Sequence, residues 1–244
     1  MVRGEGPEAR CGRCDIGRVL VTGATGGIGA AVVGVLHQRG YDVLALGRDA
    51  GWLAELQRTL ARTHAVVADL ARPETLQAAV GGIDRLDGLV HCAGVAEVAD
   101  VAETPSSMWQ ETFTVNVAGA AELTRMLLPA LRAAQGRIVF INAAPGLHAV
   151  PRWSAYAASK AALRELADSL REEEARHGVR VTTIYPGGTA TELLRKVRAQ
   201  FGLPYDPAAC IRPETIAGLV VTALELPEDA HLTELSVRPA PRAE

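Results

Sequence analysis

Thr22-Gly-Ala-Thr-Gly-Gly-Ile-Gly29 stands between an apolar run, Arg18–Thr22, and a stretch with apolar residues at helical spacing, Gly27–Arg39. A glycine turn placed where a buried strand becomes a helix lets the backbone approach a phosphate at the positive end of that helix. A second strand-like run, Asp42–Leu46, follows. Strand, glycine turn, helix and strand in that order begin a parallel sheet covered by helices on both faces, with a dinucleotide site at its first crossover.

The same alternation continues outward from this unit. Further strands are expected at Ala65–Ala68, Gly88–Cys92, Arg137–Asn142, Arg180–Tyr185 and Glu234–Arg238. Helices are expected near Trp52–Arg62, Pro73–Val80, Ser106–Ala134, Trp153–His177 and Pro213–Leu226. The fold class is therefore α/β, a doubly wound parallel sheet of seven strands. No linker or repeat divides residues 17–244, which read as one domain. Residues 1–16 are rich in glycine and charge without periodicity, and read as a poorly ordered leader.

Composition bounds the function. A chain of 244 residues that is 48% apolar can bury a large core, and a net charge of -3 argues against nucleic acid or an anionic membrane as partner. No run approaches a membrane span, and Arg3, Glu5, Glu8 and Arg10 stand where a signal peptide would be apolar, so a cytoplasmic location is expected. The four cysteines, at 11, 14, 92 and 210, are too scattered for a disulfide framework. Cys11-Gly-Arg-Cys14 has zinc spacing but no second close pair of ligands, and no metal site is expected.

Two further places carry chemistry. The second strand ends Leu46-Gly47-Arg48, where a carboxylate would hold a ribose 2′-hydroxyl and an arginine would accept a 2′-phosphate, so NADP(H) is expected over NAD. Tyr156 and Lys160 share one helix face in Ser154-Ala-Tyr-Ala-Ala-Ser-Lys160. An ammonium ~4 Å from a phenol at an effective dielectric of ~20 would bring its pKa from ~10 toward ~7, a usable acid and base. Lys160 and Lys196 are the chain's two lysines, against arginine elsewhere, and a compact ammonium suits this task better than a planar fork.

Together these motifs resemble the short-chain dehydrogenase/reductase family over roughly residues 17–240. Thr22-Gly-x-x-x-Gly-Ile-Gly29 is similar to its cofactor turn, Asp69-Leu70 to its adenine-side contact, and His91-Cys-Ala-Gly94 to its Asn-Asn-Ala-Gly segment with both asparagines replaced. Asn116 matches the asparagine of the family tetrad, which bends its helix and helps hold a relay water, and Tyr156 and Lys160 match the acid/base pair. Pro186-Gly-Gly-Thr-Ala-Thr191 resembles the stretch beside the nicotinamide. The resemblance implies a Rossmann-type domain that binds NADP(H) through Gly23, Thr25, Gly27, Ile28, Gly29, Arg48, Asp69, Leu70, Ala93, Gly94, Tyr156, Lys160, Pro186, Gly187, Thr189 and Thr191. It also implies a homodimer or homotetramer, paired through the helices Ser106–Ala134 and Trp153–His177. The second of these carries the apolar stripe Ala155, Ala158, Ala162 and Leu166, which packing against the sheet would equally explain.

The family's catalytic serine falls on Ala143. An introduced change, a natural enzyme working without the serine, and a cofactor-binding protein without redox chemistry all fit that replacement. Asn142 is expected to point to the opposite side if the strand continues and Ser154 to face away on its helix, and His148, in the loop after the strand, reads as a surface or packing histidine before a substrate contact. A substrate lid is expected near 190–212, with Leu193, Leu194, Val197, Phe201, Leu203 and Tyr205 as an apolar lining and Arg195, Lys196 and Arg198 in the same stretch. Trp153 and Leu147–Pro151 would form the facing wall. The expected activity is interconversion of a medium-sized, mostly apolar ketone or aldehyde and its alcohol. The alternatives are a regulatory or scaffold protein that binds the cofactor, and a related cyclase or dehydratase.

Overall fold

The computed structural model describes residues 17–143 and 149–241. Seven strands, β1 (Arg18–Thr22), β2 (Asp42–Gly47), β3 (Thr63–Val67), β4 (Gly88–His91), β5 (Arg137–Ile141), β6 (Arg180–Pro186) and β7 (Glu234–Val237), form one parallel sheet in the order β3-β2-β1-β4-β5-β6-β7. The chain winds outward from β1 to β3, then returns to place β4 on the other flank of β1. Ligands of open α/β sheets bind outside the carboxyl ends of the strands at such a reversal. Pairing brings those ends level, with Thr22 opposite Leu46 on one side and His91 on the other.

Helices α1 (Gly27–Gln38), α2 (Ala50–Thr59), α3 (Leu76–Val80), α4 (Ser106–Phe113), α5 (Gly119–Ala134), α6 (Ser154–Ala175), α7 (Glu192–Gln200) and α8 (Pro213–Glu225) cover both faces. Alternation along the strands makes two cores. Val19 and Val21 of β1 and Val139 and Ile141 of β5 pack with Val32, Val33 and Leu36 of α1 and Ile216 and Val220 of α8. Leu20, Ile138 and Phe140 turn the other way, toward Leu123, Leu127 and Leu131 of α5 and Leu163 of α6. Each such buried aliphatic side chain is worth ~1.5–3 kcal/mol.

Most expected elements form within a few residues of their expected ends, and three differences bear on the site. The helix expected over Ser106–Ala134 is broken by one π turn, Thr114–Ala118, because the Asn116 side chain bonds outside the helix and the backbone widens to accommodate it. The strand expected to end at Asn142 ends at Ile141. A helix not expected, α7, forms within 190–212, its Thr191 hydroxyl capping the Leu194 N–H at 3.2 Å. On α6 the buried stripe is Tyr156, Ser159, Lys160, Leu163, Ala167 and Leu170. Of the stripe expected for pairing, Ala155 is buried, while Ala158, Ala162 and Leu166 are half-exposed. The expected leader with Cys11 and Cys14 lies outside the described residues. No helix among the described residues is long and apolar enough to cross a membrane.

Candidate active site

Two cavities meet at the carboxyl edge of the sheet. The first, about 330 Å³, lies at the reversal between β1 and β4. Gly23, Thr25, Gly27, Ile28, Arg48, Asp69, Leu70, Ala93, Gly94 and Thr191 line it. A Cβ on Gly23, whose φ is +65°, would sit 2.9 Å from the Ala93 backbone, and one on Gly29 would run into the Gly23 carbonyl oxygen. Gly29 does not line the cavity; it lets α1 approach the turn. Helix α1 starts without a side-chain cap, so no side chain takes up the N–H groups of its first turn. Thr22 Oγ1 accepts from the Cys92 and Ala93 N–H groups at 3.1 Å each, tying β1 to the floor formed after β4. Arg48 is exposed at the cavity edge and has no hydrogen-bond or ion-pair partner among the described residues. The Asp69 carboxylate accepts from the Ala71 N–H at 3.0 Å and stays at the wall.

Behind Gly94 lies a buried polar cluster. A Cβ built on Gly94 would stand 3.3 Å from Asn116 Oδ1 and 3.7 Å from Lys160 Nζ. Asn116 is fully engaged, accepting from the Val95 N–H at 2.8 Å and donating to the Val95 carbonyl at 2.9 Å and to Ser159 Oγ at 3.0 Å. The Ser159 hydroxyl in turn donates to the Tyr156 carbonyl at 2.8 Å. Ser159 is a site residue that the sequence reading passed over, although its spacing from Tyr156 puts it on the same helix face. Lys160 Nζ donates to the Ile141 carbonyl at 3.2 Å and lies 5.8 Å from the centre of the Tyr156 ring.

The expected fall in the Tyr156 pKa does not occur in the protein alone. Burial pushes the phenol up to about 12, and burial also brings Lys160 down to about 8. Desolvation disfavours both charged forms and outweighs an attraction acting over this distance. His91 is held neutral, at about 3, first by burial and then by the charge of Lys160. The Thr124 hydroxyl donates to the Ala120 carbonyl, so it accepts from His91 Nε2–H at 2.9 Å, and the ring stacks on Phe140 at 4.7 Å. Burial pushes the Cys92 thiol to about 12, far from a reactive thiolate. Neither replacement for the family's two asparagines is charged at neutral pH.

A charged lysine in this setting costs stability. Lowering an ammonium from 10.5 to about 8 corresponds to ~3 kcal/mol. Below pH 8 folded and unfolded chains both hold the proton, so that cost is fully present. Between 8 and 10.5 the unfolded chain holds a proton that the folded one has released, and stability rises with pH across that window. From 10 to 12 Tyr156 acts in the opposite sense. Lys160→Met should therefore stabilise the protein alone by ~1–3 kcal/mol at pH 7, with the lost Ile141 bond as an offset. The urea midpoint reads this directly, and a midpoint that falls would show the ammonium to be better solvated than its burial implies.

The second cavity, about 700 Å³, lies beyond Thr191 and Leu193, which line both. Tyr156 and Ala143 face it together with Asn142, Trp153, Pro186, Gly187, Thr189, Leu194 and Val197. Asn142 is buried: its amide donates to the Lys160 carbonyl at 3.1 Å and accepts from the Ala143 N–H at 2.9 Å, while its own N–H continues the ladder to the Ile184 carbonyl at 2.8 Å. Trp153 stacks on Tyr156 with centroids 4.6 Å apart and meets Phe201 edge-on at 5.9 Å. Leu203 is 53% exposed, and neither it nor Tyr205 lines this cavity. Ser154 does not line it either. Arg195 is paired with Glu192 at 2.6 Å. Leu147 and His148 of the expected loop wall lie outside the described residues, and Ala149, Val150 and Pro151 do not line this cavity.

Comparison with known proteins agrees with this architecture. A family model described as short chain dehydrogenase matches residues 17–201. The chain is 36% identical to an uncharacterised short-chain type dehydrogenase/reductase, y4eK, of Sinorhizobium fredii, over 90% of each chain. Among solved structures it is similar to a metagenomic short-chain oxidoreductase in complex with NADP, with a TM-score of 0.79 and 28% identity over 93% of this chain and 98% of that one. It also shares the fold of an alcohol dehydrogenase from the archaeon Thermococcus sibiricus complexed with 5-hydroxy-NADP, with a TM-score of 0.82 and 22% identity over 93% and 99% of the two chains. The glycine turn at the sheet reversal, the buried Asn116-Ser159-Tyr156-Lys160 cluster and a family match over most of the sequence converge: this chain belongs to the short-chain dehydrogenase/reductase family.

Proposed function

We propose that the protein is an NADP(H)-dependent reductase or dehydrogenase that interconverts a medium-sized, mostly apolar ketone or aldehyde and its alcohol. The observation that carries this reading is the opening of Tyr156 into the larger cavity, with Lys160 and Asn116 packed behind it and the glycine-lined cavity adjoining. The residues fit the cofactor: a turn that any Cβ at Gly23 or Gly29 would close, an uncapped helix N-terminus and an Arg48 with no partner among the described residues suit a pyrophosphate and a 2′-phosphate. Thr25, Gly27, Ile28, Asp69, Leu70, Ala93 and Gly94 would complete the nucleotide cradle. Pro186, Gly187, Thr189 and Thr191 would flank the nicotinamide, and Lys160 would hold its ribose. When bound, NADP(H) supplies or accepts the hydride.

The chain's own residues handle the proton and the substrate oxygen. Tyr156, neutral in its buried setting, donates its phenolic proton to the oxygen as reduction proceeds and retrieves it in the reverse direction. Lys160 lowers the cost of the transient phenolate, and Asn116 and Ser159 keep the helix face in register. Helix α7 and the segment around it act as a lid, with Leu193, Leu194 and Val197 as the apolar lining. The half-exposed Ala158, Ala162 and Leu166 on α6 suit pairing with a second copy in a homodimer or homotetramer.

A panel of ketones and aldehydes, followed by loss of NADPH absorbance, tests the activity. Turnover of at least one apolar carbonyl compound is expected; tight NADPH binding without turnover across the panel would favour a non-redox, cofactor-binding role, the reading that Ala143 supports. Cofactor choice has its own test. NADPH should bind at least ~10-fold more tightly than NADH, and Arg48→Ala should remove most of that difference. Equal affinities in the parent protein would remove Arg48 as the selector.

A further inference from the structure

The larger cavity has an apolar lining in Ile28, Ala96, Trp153, Leu194 and Val197, and besides Tyr156, Asn142, Thr189 and Thr191 two arginines line it. Arg198 comes from α7 and Arg238 from the segment after β7, and no aspartate or glutamate lines this cavity among the described residues. Arginine is abundant in this chain, so its presence alone means little. These two have no carboxylate partner among the described residues, and they line the same cavity. Arg18, Arg39, Arg58, Arg125, Arg132 and Arg195 each hold an aspartate or glutamate within 3.0 Å. Arg198 instead donates one N–H, from Nη1, to the Pro204 carbonyl at 3.0 Å, which orients its fork without neutralising it. Arg238 has no hydrogen-bond or ion-pair partner among the described residues and is exposed at the cavity edge. In a chain of net charge -3, two uncompensated guanidinium groups at one cavity form a local anion site.

We propose that the substrate is an oxo acid or the corresponding hydroxy acid, whose carboxylate is held between Arg198 and Arg238 while its apolar chain runs past Leu194 and Val197 toward Tyr156. This rests on the reductase reading and narrows its substrate class. The anion site is assigned to the substrate because both arginines line the cavity onto which Tyr156 opens, whereas the glycine turn and Arg48 line the adjoining one. Two cations on different elements also select for length, since a carbonyl reaches Tyr156 only when the carboxylate lies at the rim.

The experiment compares 4-oxopentanoate, 5-oxohexanoate and 7-oxooctanoate with their methyl esters. Each pair is read as kcat/KM with NADPH and as calorimetric affinity for the NADP⁺-saturated protein. At least one acid should exceed its ester by ~10-fold or more, and added salt should narrow the gap. Arg198→Gln and Arg238→Gln should each remove most of the preference while leaving the ester and the NADPH affinity nearly unchanged. Acid and ester treated alike at every length, whether both bind or neither does, overturns the proposal. So does a preference that survives both substitutions, or substitutions that weaken NADPH instead. Ester turnover without acid preference leaves the reductase reading standing, whereas preferential acid binding with no NADPH oxidation by any pair overturns that reading and keeps the anion site.

Discussion

Tyr156→Phe should abolish carbonyl reduction, by ~10²–10⁴ in kcat, while NADPH binding changes little. The phenol oxygen makes no hydrogen bond to another described residue, and the ring keeps its stacking on Trp153, so the substitution removes the proton donor and little else. Stability should therefore hold, in contrast to most changes at a buried position. Lys160→Ala should impair both turnover and cofactor affinity, because one ammonium serves the phenol and the ribose. Single-turnover oxidation of NADPH by each variant, beside fluorescence titration of the cofactor, separates the two effects. Retained turnover in the Phe variant would assign the proton to another group.

Ala143→Ser should raise kcat/KM by ~10²–10³, or about 3–4 kcal/mol, on any carbonyl compound that the parent reduces. Ala143 lines the larger cavity beside Tyr156, and a hydroxyl added there enters open space and not the packed sheet. Folding and NADPH affinity should be nearly unaffected. The sign of the result is informative in either direction. A large gain would identify the alanine as the loss of an oxygen-binding donor from an otherwise intact site. No gain on a substrate that the parent turns over measurably would show that the site works without the serine.

Local pattern was enough for much of the fold. Short continuous apolar runs in Arg18–Thr22 and Arg137–Ile141 read as strands buried on both faces, and the glycine turn could be read because its requirement is steric and local. Tyr156 and Lys160 could be placed on one face because helical spacing is fixed by the backbone. Helix α7 was missed because its apolar residues read as a lid lining and its charged ones as solvated, though Thr191 before Glu192 is an N-cap signal. Arg238 was missed because nothing near it in sequence bears on the site; the sheet edge carries it there.

Sequence alone thus determined the element order, the nucleotide turn and the identity of the groups near the chemistry, since each depends on spacing within a few residues. Tertiary structure alone decided their electrostatics and their company. The helix spacing of Tyr156 and Lys160 says that they share a face but not how much water remains around them, and burial overturned the expected phenol shift. The Lys160 carbonyl that accepts from the Asn142 amide is likewise brought there by the packing of α6 against the end of β5. That Arg198 and Arg238 line one cavity joins α7 to the segment after β7, a proximity produced by long-range packing that no local pattern encodes.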